Sequence, residues 1–167
     1  MSNFEYRVTK YNPIYRNERG NFLKEDWIAV SDIGKSFDNI TLTSEEYNRV
    51  ETTYAQTAIA FLQESGNLCL QVERLEDYGD YPITFRQGDV LGKDELEQAF
   101  RDVLQERYWC RFADDHRFVH FGWDYYMYIG VPIICKQSID FAHNASLFVE
   151  PFSSPYNKRF DEDEDYN

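Results

Sequence analysis

The chemistry that this sequence could support starts from its few histidines. Three are present, and His120 lies four residues before Asp124 in the segment FVHFGWD. On a continuous strand, side chains four residues apart point to the same face, so the two could act as a base with its orienting carboxylate or as two metal ligands. If residues 122 to 124 instead form a turn, His120 faces an aromatic ring and Asp124 bonds its own backbone. We prefer this structural interpretation.

A second polar group, Asp114, Asp115 and His116, offers paired carboxylates of the kind that hold a divalent cation. A turn between two strands explains the same three residues without an ion, and we prefer that interpretation. None of the patterns GxSxG, HExxH, GxGxxG or a P-loop occurs in the chain. The sequence therefore predicts no catalytic residue, no metal site and no cofactor, and we do not expect an enzyme.

The three cysteines, Cys69, Cys110 and Cys135, are widely spaced and have apolar neighbours. They form no CxxC pair or other metal-binding spacing, and we expect no activated thiol among them. We expect buried, reduced thiols in a cytoplasmic protein. The first twenty residues carry charges throughout instead of a signal-peptide core, which agrees with that compartment.

Hydrophobic periodicity predicts an α+β fold with a single, mostly antiparallel sheet of five to seven strands and two main amphipathic helices packed on it. One helix begins at the capping box of Thr43 and Glu46 and ends at Gly66, and the other spans 93 to 108. Residues 131 to 145 are expected to form a loop. The predicted strands are 3 to 11, 68 to 75, 81 to 86 at an edge, 109 to 112, 118 to 121, 125 to 130 and 146 to 152, and residues 27 to 34 are expected to be a short strand or an extended segment.

The domain organisation follows from the absence of any repeat or linker. Residues 1 to 156 are expected to form one domain. Residues 157 to 167 contain five consecutive carboxylates at 161 to 165, and such a block is typical of a mobile acidic tail.

The net charge excludes some partners and favours others. Seventeen Lys and Arg residues against thirty Asp and Glu residues give a charge of −13. Such a field repels phosphate backbones and anionic lipids, so we expect no direct binding of nucleic acid or membranes. A basic protein would complement it, although acidity also serves solubility alone.

Aromatic residues suggest where a partner could bind, because 13 Tyr and 13 Phe exceed what a core of this size requires. Between residues 123 and 128 both faces of a predicted strand carry rings, and only one face normally points into the core. Carboxylates near these rings could bind Lys and Arg of a basic partner. The candidate partner-binding residues are Trp123, Asp124, Tyr125, Tyr126, Tyr128, Glu73, Glu76, Asp77, Asp80 and Glu150.

Four segments, KYNPIYR (10 to 16), WIAVSDIG (27 to 34), FVHFGWDYYMYIG (118 to 130) and LFVEPFSSPY (147 to 156), give the chain a resemblance to small bacterial immunity proteins. These are encoded beside contact-dependent growth inhibition systems and other polymorphic toxins. The resemblance implies an inhibitor that docks on the C-terminal toxin domain of a cognate protein and blocks its active site. Binding residues in such proteins vary with the toxin, so it assigns no site residue. The acidic charge would then favour a basic nuclease toxin.

Two alternatives remain open from the sequence. An acidic mimic of nucleic acid could inhibit a DNA-binding protein, and it would need carboxylates spaced like phosphates along one elongated face. An enzyme built around His120 and Asp124 is the other, and replacement of His120 by alanine would then abolish activity without loss of the fold.

Overall fold

A computed structural model describes residues 2–157, so the expected mobile tail lies outside the described residues apart from Asn157. The strands within residues 2–157 are β1 (Phe4–Thr9), β2 (Ser36–Phe37), β3 (Ile40–Thr41), β4 (Leu70–Asp77), β5 (Val90–Leu91), β6 (Tyr108–Ala113), β7 (Phe118–Phe121), β8 (Met127–Val131) and β9 (Phe148–Pro151). Seven of these described strands form one sheet in the order β5-β4-β6-β7-β8-β1-β9, and every neighbouring pair is antiparallel. The short strands β2 and β3 form a separate hairpin. The α+β prediction with one main antiparallel sheet is confirmed.

In the described part of the chain, three helices accompany the sheet: α1 (Ser44–Glu64), α2 (Lys93–Leu104) and α3 (Lys136–Asn144). The first begins as predicted, because the Thr43 side chain accepts a hydrogen bond from the Glu46 backbone N–H at 3.1 Å. It ends before Gly66, whose φ of 96° suits the left-handed turn after a helix. The apolar side of α1 packs into the core, where the Phe61 ring lies 5.8 Å from Tyr6 of β1.

Neither residues 27 to 34, expected to be a short strand or an extended segment, nor the predicted strand 81 to 86 forms a strand. Residues 27 to 34 form a loop with a 3₁₀ turn at Val30–Asp32, because the Asp32 side chain accepts from the Ile28 backbone N–H at 2.9 Å and closes the chain locally. Residues 81 to 86 form no strand, since Pro82 has no N–H to donate to β4. Backbone pairing to β4 starts only at Gly88, whose N–H bonds Val72 O at 2.8 Å.

Two other boundaries differ from the prediction. The expected loop 131 to 145 contains α3. This helix is difficult to recognise in the sequence because it is only nine residues long and has no side-chain cap at Cys135. Helix α2 ends at Leu104 instead of 108, because Glu106 adopts φ 60° and reverses the chain into β6. That reversal places Glu106 beside the start of β6.

The two faces of the sheet differ in what covers them. The helices cover one face, and the other carries a row of paired residues in which Arg7 of β1 lies opposite Glu150 of β9 and Tyr128 of β8, with His120 of β7 next. Residues 152 to 157, which we call the C-terminal segment, cross this second face. Its contacts include Ser154 with His120 and Phe152 with Arg7.

Candidate functional site

A groove of about 610 Å³ lies at the end of the sheet where β4 and β7 end and β6 begins. We call it the Trp123 groove. Its floor is apolar, and among the described residues three carboxylates but no Lys, Arg or His line it. The residues that define it are Glu76, Tyr78, Glu106, Trp109, Trp123 and Asp124. Its volume falls within the range of about 300–1,000 Å³ that is common for binding pockets.

Trp123 is the most exposed large apolar side chain described, at 84% of its surface. It lies in a turn between β7 and β8, where Asp124 and Tyr125 adopt φ values of 61° and 66°. Non-glycine residues in this left-handed region cost about 1–3 kcal/mol each when the backbone is strained. An exposed indole on a strained turn is a costly arrangement, and strain of this kind tends to occur at binding sites.

Hydrogen bonds hold the backbone of this turn. The Tyr11 hydroxyl donates to the Asp124 carbonyl at 2.6 Å, and the Gly122 N–H donates to the Tyr126 carbonyl at 2.8 Å. The Tyr156 ring, from the C-terminal segment, lies beside the turn, 5.5 Å from the Trp109 ring. The indole is therefore presented on a fixed backbone, which lowers the entropy lost when a partner binds.

The floor of the groove is closely packed, whereas its rim is exposed. The Tyr125 ring lies 4.8 Å from both Trp27 and Tyr54, and its hydroxyl donates to the Tyr47 hydroxyl at 3.2 Å. On the other side, Trp109 Nε1 donates to the Phe121 carbonyl at 2.8 Å. These contacts leave Trp123 as the one indole of the groove whose ring projects into solvent.

The carboxylates give the groove a negative potential. Glu76, Glu106 and Asp124 are exposed, and none of them forms an ion pair with another residue between 2 and 157. Burial, together with the charges of Glu76 and Glu106, raises the pKa of the Tyr78 phenol at the rim. Two of the carboxylates therefore act on one aromatic ring, although one comes from the end of β4 and the other from the turn before β6.

Only part of the candidate partner-binding set comes together here. Trp123, Asp124 and Glu76 line the groove, and Asp77 and Asp80 are exposed close to Glu76 in the chain. Glu73 and Glu150 lie on the second face, where they pair with Arg111 at 3.3 Å and Arg7 at 3.1 Å.

Three tyrosines of that set have other roles. Tyr125 and Tyr128 are buried, so they cannot form an accessible contact surface. The turn directs Tyr125 into the core, and the C-terminal segment covers Tyr128, whose ring lies 5.9 Å from Phe152. Tyr126 is half-buried, and its hydroxyl accepts from Arg16 Nη1 at 2.9 Å. The alternation of rings was recognised in the sequence, but the segment that covers the second face was not.

The groove also includes residues that the sequence reasoning missed. Tyr78 follows Glu76 and Asp77 in the stretch EDYGDY, and this mixture of acids and rings was an available signal. Glu106 and Tyr156 gave no local signal. They reach the groove only because the turn after α2 and the C-terminal segment meet beside β6, which is a property of the topology.

His120 is surrounded by the contacts of a buried structural residue, and not by those of a catalytic base paired with Asp124. Its Nδ1 lies 2.8 Å from Ser154 Oγ, and its ring stacks on Phe118 at 4.3 Å. Burial, with a smaller contribution from the Arg111 charge, lowers the pKa of His120 to about 3. The dyad interpretation is thus contradicted, because Asp124 lies in the strained turn and His120 contacts Ser154.

Because burial keeps His120 neutral, the free energy of unfolding should fall as the pH decreases. Its folded pKa of about 3 lies below the unfolded value of about 6.5, so the unfolded chain binds the extra proton between these pH values. Stability from this group is complete above pH ~6.5 and is lost as the pH falls, by at most about 1.4 kcal/mol per pH unit. Urea unfolding of wild type and His120→Asn between pH 7 and 4 should give free energies of unfolding that converge in acid. A gap independent of pH would contradict this.

The remaining polar groups also have structural roles. Asp114 accepts from the backbone N–H groups of His116 and Arg117 at 2.8 and 2.6 Å, which makes the segment a turn as preferred. No group of three or more His, Cys, Asp or Glu side chains in the described part of the chain is placed to hold a metal ion.

The cysteines match the prediction only in part. Cys110 and Cys135 are buried. Cys69 is exposed, against expectation, because it lies just before the first residue of β4. Burial raises the pKa of the Cys135 thiol to about 11 and that of Cys110 further. Neither buried thiol is therefore an activated nucleophile.

A second, larger groove of about 810 Å³ lies on the second face of the sheet. Acidic and basic side chains line it together, and they bond one another, as in Glu73 with Arg111 and Asp114 with Arg117. Because these charges are largely neutralised within the fold, this groove has less residual potential for a charged ligand than the Trp123 groove.

Comparison with protein-family models, with curated proteins and with solved structures finds no match to this chain. Among the described residues, no helix is both long enough and apolar enough to cross a membrane. The features of this chain that bear on its function are therefore the Trp123 groove and the net charge.

Proposed function

We propose that this protein binds and neutralises a basic protein by direct contact, in the manner of an immunity protein against a cognate nuclease toxin domain. The observation that supports this most strongly is the Trp123 groove. It combines an exposed indole on a strained turn with three carboxylates that have no ion-pair partner among residues 2–157.

The residue types of the groove are those that dominate protein interfaces. Trp and Tyr provide a large contact area at low entropic cost and are enriched among the residues that contribute most to binding energy. Carboxylates around such a centre select Lys and Arg and steer a basic partner. The net charge of −13 extends this attraction beyond the groove itself.

The alternative of a nucleic-acid mimic is less well supported, because many carboxylates are neutralised inside the fold. A mimic needs an extended row of free negative charges, as in the phosphate backbone that it imitates. Among residues 2–157, seven acidic residues form ion pairs with arginines: Glu46 with Arg49, Glu51 and Glu97 with Arg101, Glu73 with Arg111, Asp102 with Arg107, Asp114 with Arg117 and Glu150 with Arg7.

An immunity role carries consequences for where and how the protein acts. It would work in the cytoplasm, where a toxin domain reaches its target and where the free cysteines stay reduced. A basic nuclease domain would be inhibited because the acidic groove occupies part of the surface that holds phosphates. No catalysis by this chain is required.

The test begins with affinity capture from the native cells by tagged wild-type protein and by Trp123→Ala, at low and high salt, with mass spectrometry of what is retained. We expect a basic protein that wild type retains better than the variant and that high salt releases. Co-expression of wild type should then protect cells from that protein, and the variant should protect less. Retention of only acidic or neutral proteins, or a basic protein that kills equally with and without this chain, would refute the proposal.

A further inference from the structure

We infer that the Trp123 groove receives an arginine side chain of the partner, with the guanidinium stacked on the Trp123 indole and bonded to the carboxylates around it. This inference rests on the proposed function and specifies the chemistry of its central contact. Its basis is the combination of ring faces and charges in one groove.

Three carboxylates line the groove. Glu76 comes from the end of β4, Glu106 from the turn between α2 and β6, and Asp124 from the turn between β7 and β8. Three separate elements thus bring negative charge to one groove, and no Lys, Arg or His in the described range lines it to neutralise that charge. A cation supplied by a partner would provide the missing counter-charge.

The aromatic lining favours arginine over lysine. A guanidinium is planar, stacks on rings, is less strongly hydrated than an ammonium and can bond a carboxylate with two N–H groups. Trp123 offers the best ring for such stacking, and Tyr78 and Trp109 lie in the same groove. The apolar floor would also cover the methylene stem of the side chain.

The same pairing recurs inside the fold. The Arg7 guanidinium lies 4.1 Å from the centre of the Phe152 ring while it bonds Glu150. That of Arg107 lies 4.6 Å from the Tyr81 ring while it bonds Asp102. Arg16 makes the same contact with the Tyr126 ring at 5.4 Å and Glu150 at 3.8 Å, and Lys10 makes it with the Trp27 ring at 4.1 Å and Asp26 at 2.8 Å. A cation between a ring and a carboxylate is thus a recurrent contact within residues 2–157, and the Trp123 groove offers the ring and the carboxylates without the cation.

The experiment is an NMR titration of ¹⁵N-labelled protein with three peptides, Ac-Leu-Arg-Leu-NH₂, its lysine analogue and its citrulline analogue. The chain has three tryptophans, so three indole N–H signals are expected, and Trp123→Phe assigns the signal of interest. We expect the arginine peptide to shift the Trp123 signal saturably, with dissociation constants at least about threefold larger for lysine and no saturable shift for citrulline. The signal of buried Trp27 should stay in place.

The matched variant is Glu76→Gln combined with Asp124→Asn, which removes two charges while asparagine still tolerates the left-handed backbone at 124. It should abolish the response to arginine. Equal binding of citrulline, equal binding of lysine, or an unchanged response in the double variant would overturn the inference. If a basic partner still requires Trp123 while the arginine peptide fails, the inference falls and the proposed function stands. If the peptide binds but no basic partner exists, the proposed function falls.

Discussion

Replacing Trp123 by alanine should weaken binding of the basic partner by about 30-fold or more, because a central exposed tryptophan typically contributes at least about 2 kcal/mol to an interface. The free energy of unfolding should change by no more than about 0.5 kcal/mol, since the side chain is 84% exposed and contributes little to the core. Isothermal titration calorimetry with the purified partner measures the first quantity, and urea unfolding measures the second.

The matched control is Ile134→Ala, which removes another exposed apolar side chain that does not line the groove. Its affinity for the partner should stay within about twofold of wild type, as expected for a residue outside the interface. If Ile134→Ala weakens binding as much as Trp123→Ala, or if neither has an effect, the Trp123 groove is not the centre of the interface.

Tyr125→Ala should have the largest effect on stability, lowering the free energy of unfolding by about 3–5 kcal/mol. The ring is buried and contacts three others, those of Trp27, Tyr47 and Tyr54, so its removal leaves a large cavity beneath the groove. Urea unfolding followed by circular dichroism measures the loss.

Tyr125→Phe separates packing from direct binding. It keeps the ring and the same backbone constraint at φ 66°, and loses only the hydroxyl that donates to Tyr47, so it should cost about 1 kcal/mol. Its affinity for the partner should equal that of wild type. A large loss of affinity in Tyr125→Phe with little loss of stability would restore Tyr125 as a contact residue and contradict its place in the core.

Local patterns predicted the parts of the fold that depend on local interactions. Helix α1 was recognised at both ends because its cap at Thr43 and its stop at Gly66 are side-chain and glycine signals within the sequence. Strand β4 was recognised because its buried positions, Leu70 and Val72, alternate with polar ones. The overall class, one antiparallel sheet with helices, follows from such elements.

Long-range contacts decided what the sequence could not show. Residues 27 to 34 have the composition of a strand, but Trp27 is held by the tyrosine cluster around Tyr125, far away in the chain. The alternation along β8 predicts that Tyr128 lies on an exposed face of the sheet. It is nevertheless buried, because Phe152 and Tyr156 cross over it. No local sequence pattern predicts that the C-terminal segment crosses over Tyr128.

The candidate site was predicted in the same uneven way. Trp123, Asp124 and Glu76 were selected because acids and rings are close in sequence, and these three do line one groove. Glu106 was missed because it arrives from the end of a helix whose length was overestimated. The strain at Asp124 and Tyr125 was also invisible, since neither residue is a glycine that would signal a positive φ.

The measurement that tests the central claim most directly is amide hydrogen exchange of the protein, free and bound to its purified basic partner, followed by mass spectrometry. We predict that binding protects residues 76 to 80, 105 to 107 and 122 to 126, the three segments that carry the rim of the Trp123 groove, and that Trp123→Ala loses this protection at equal concentrations. Protection confined to residues 132 to 144 or to β9, with the three rim segments unchanged, would contradict the assignment of this groove as the binding site.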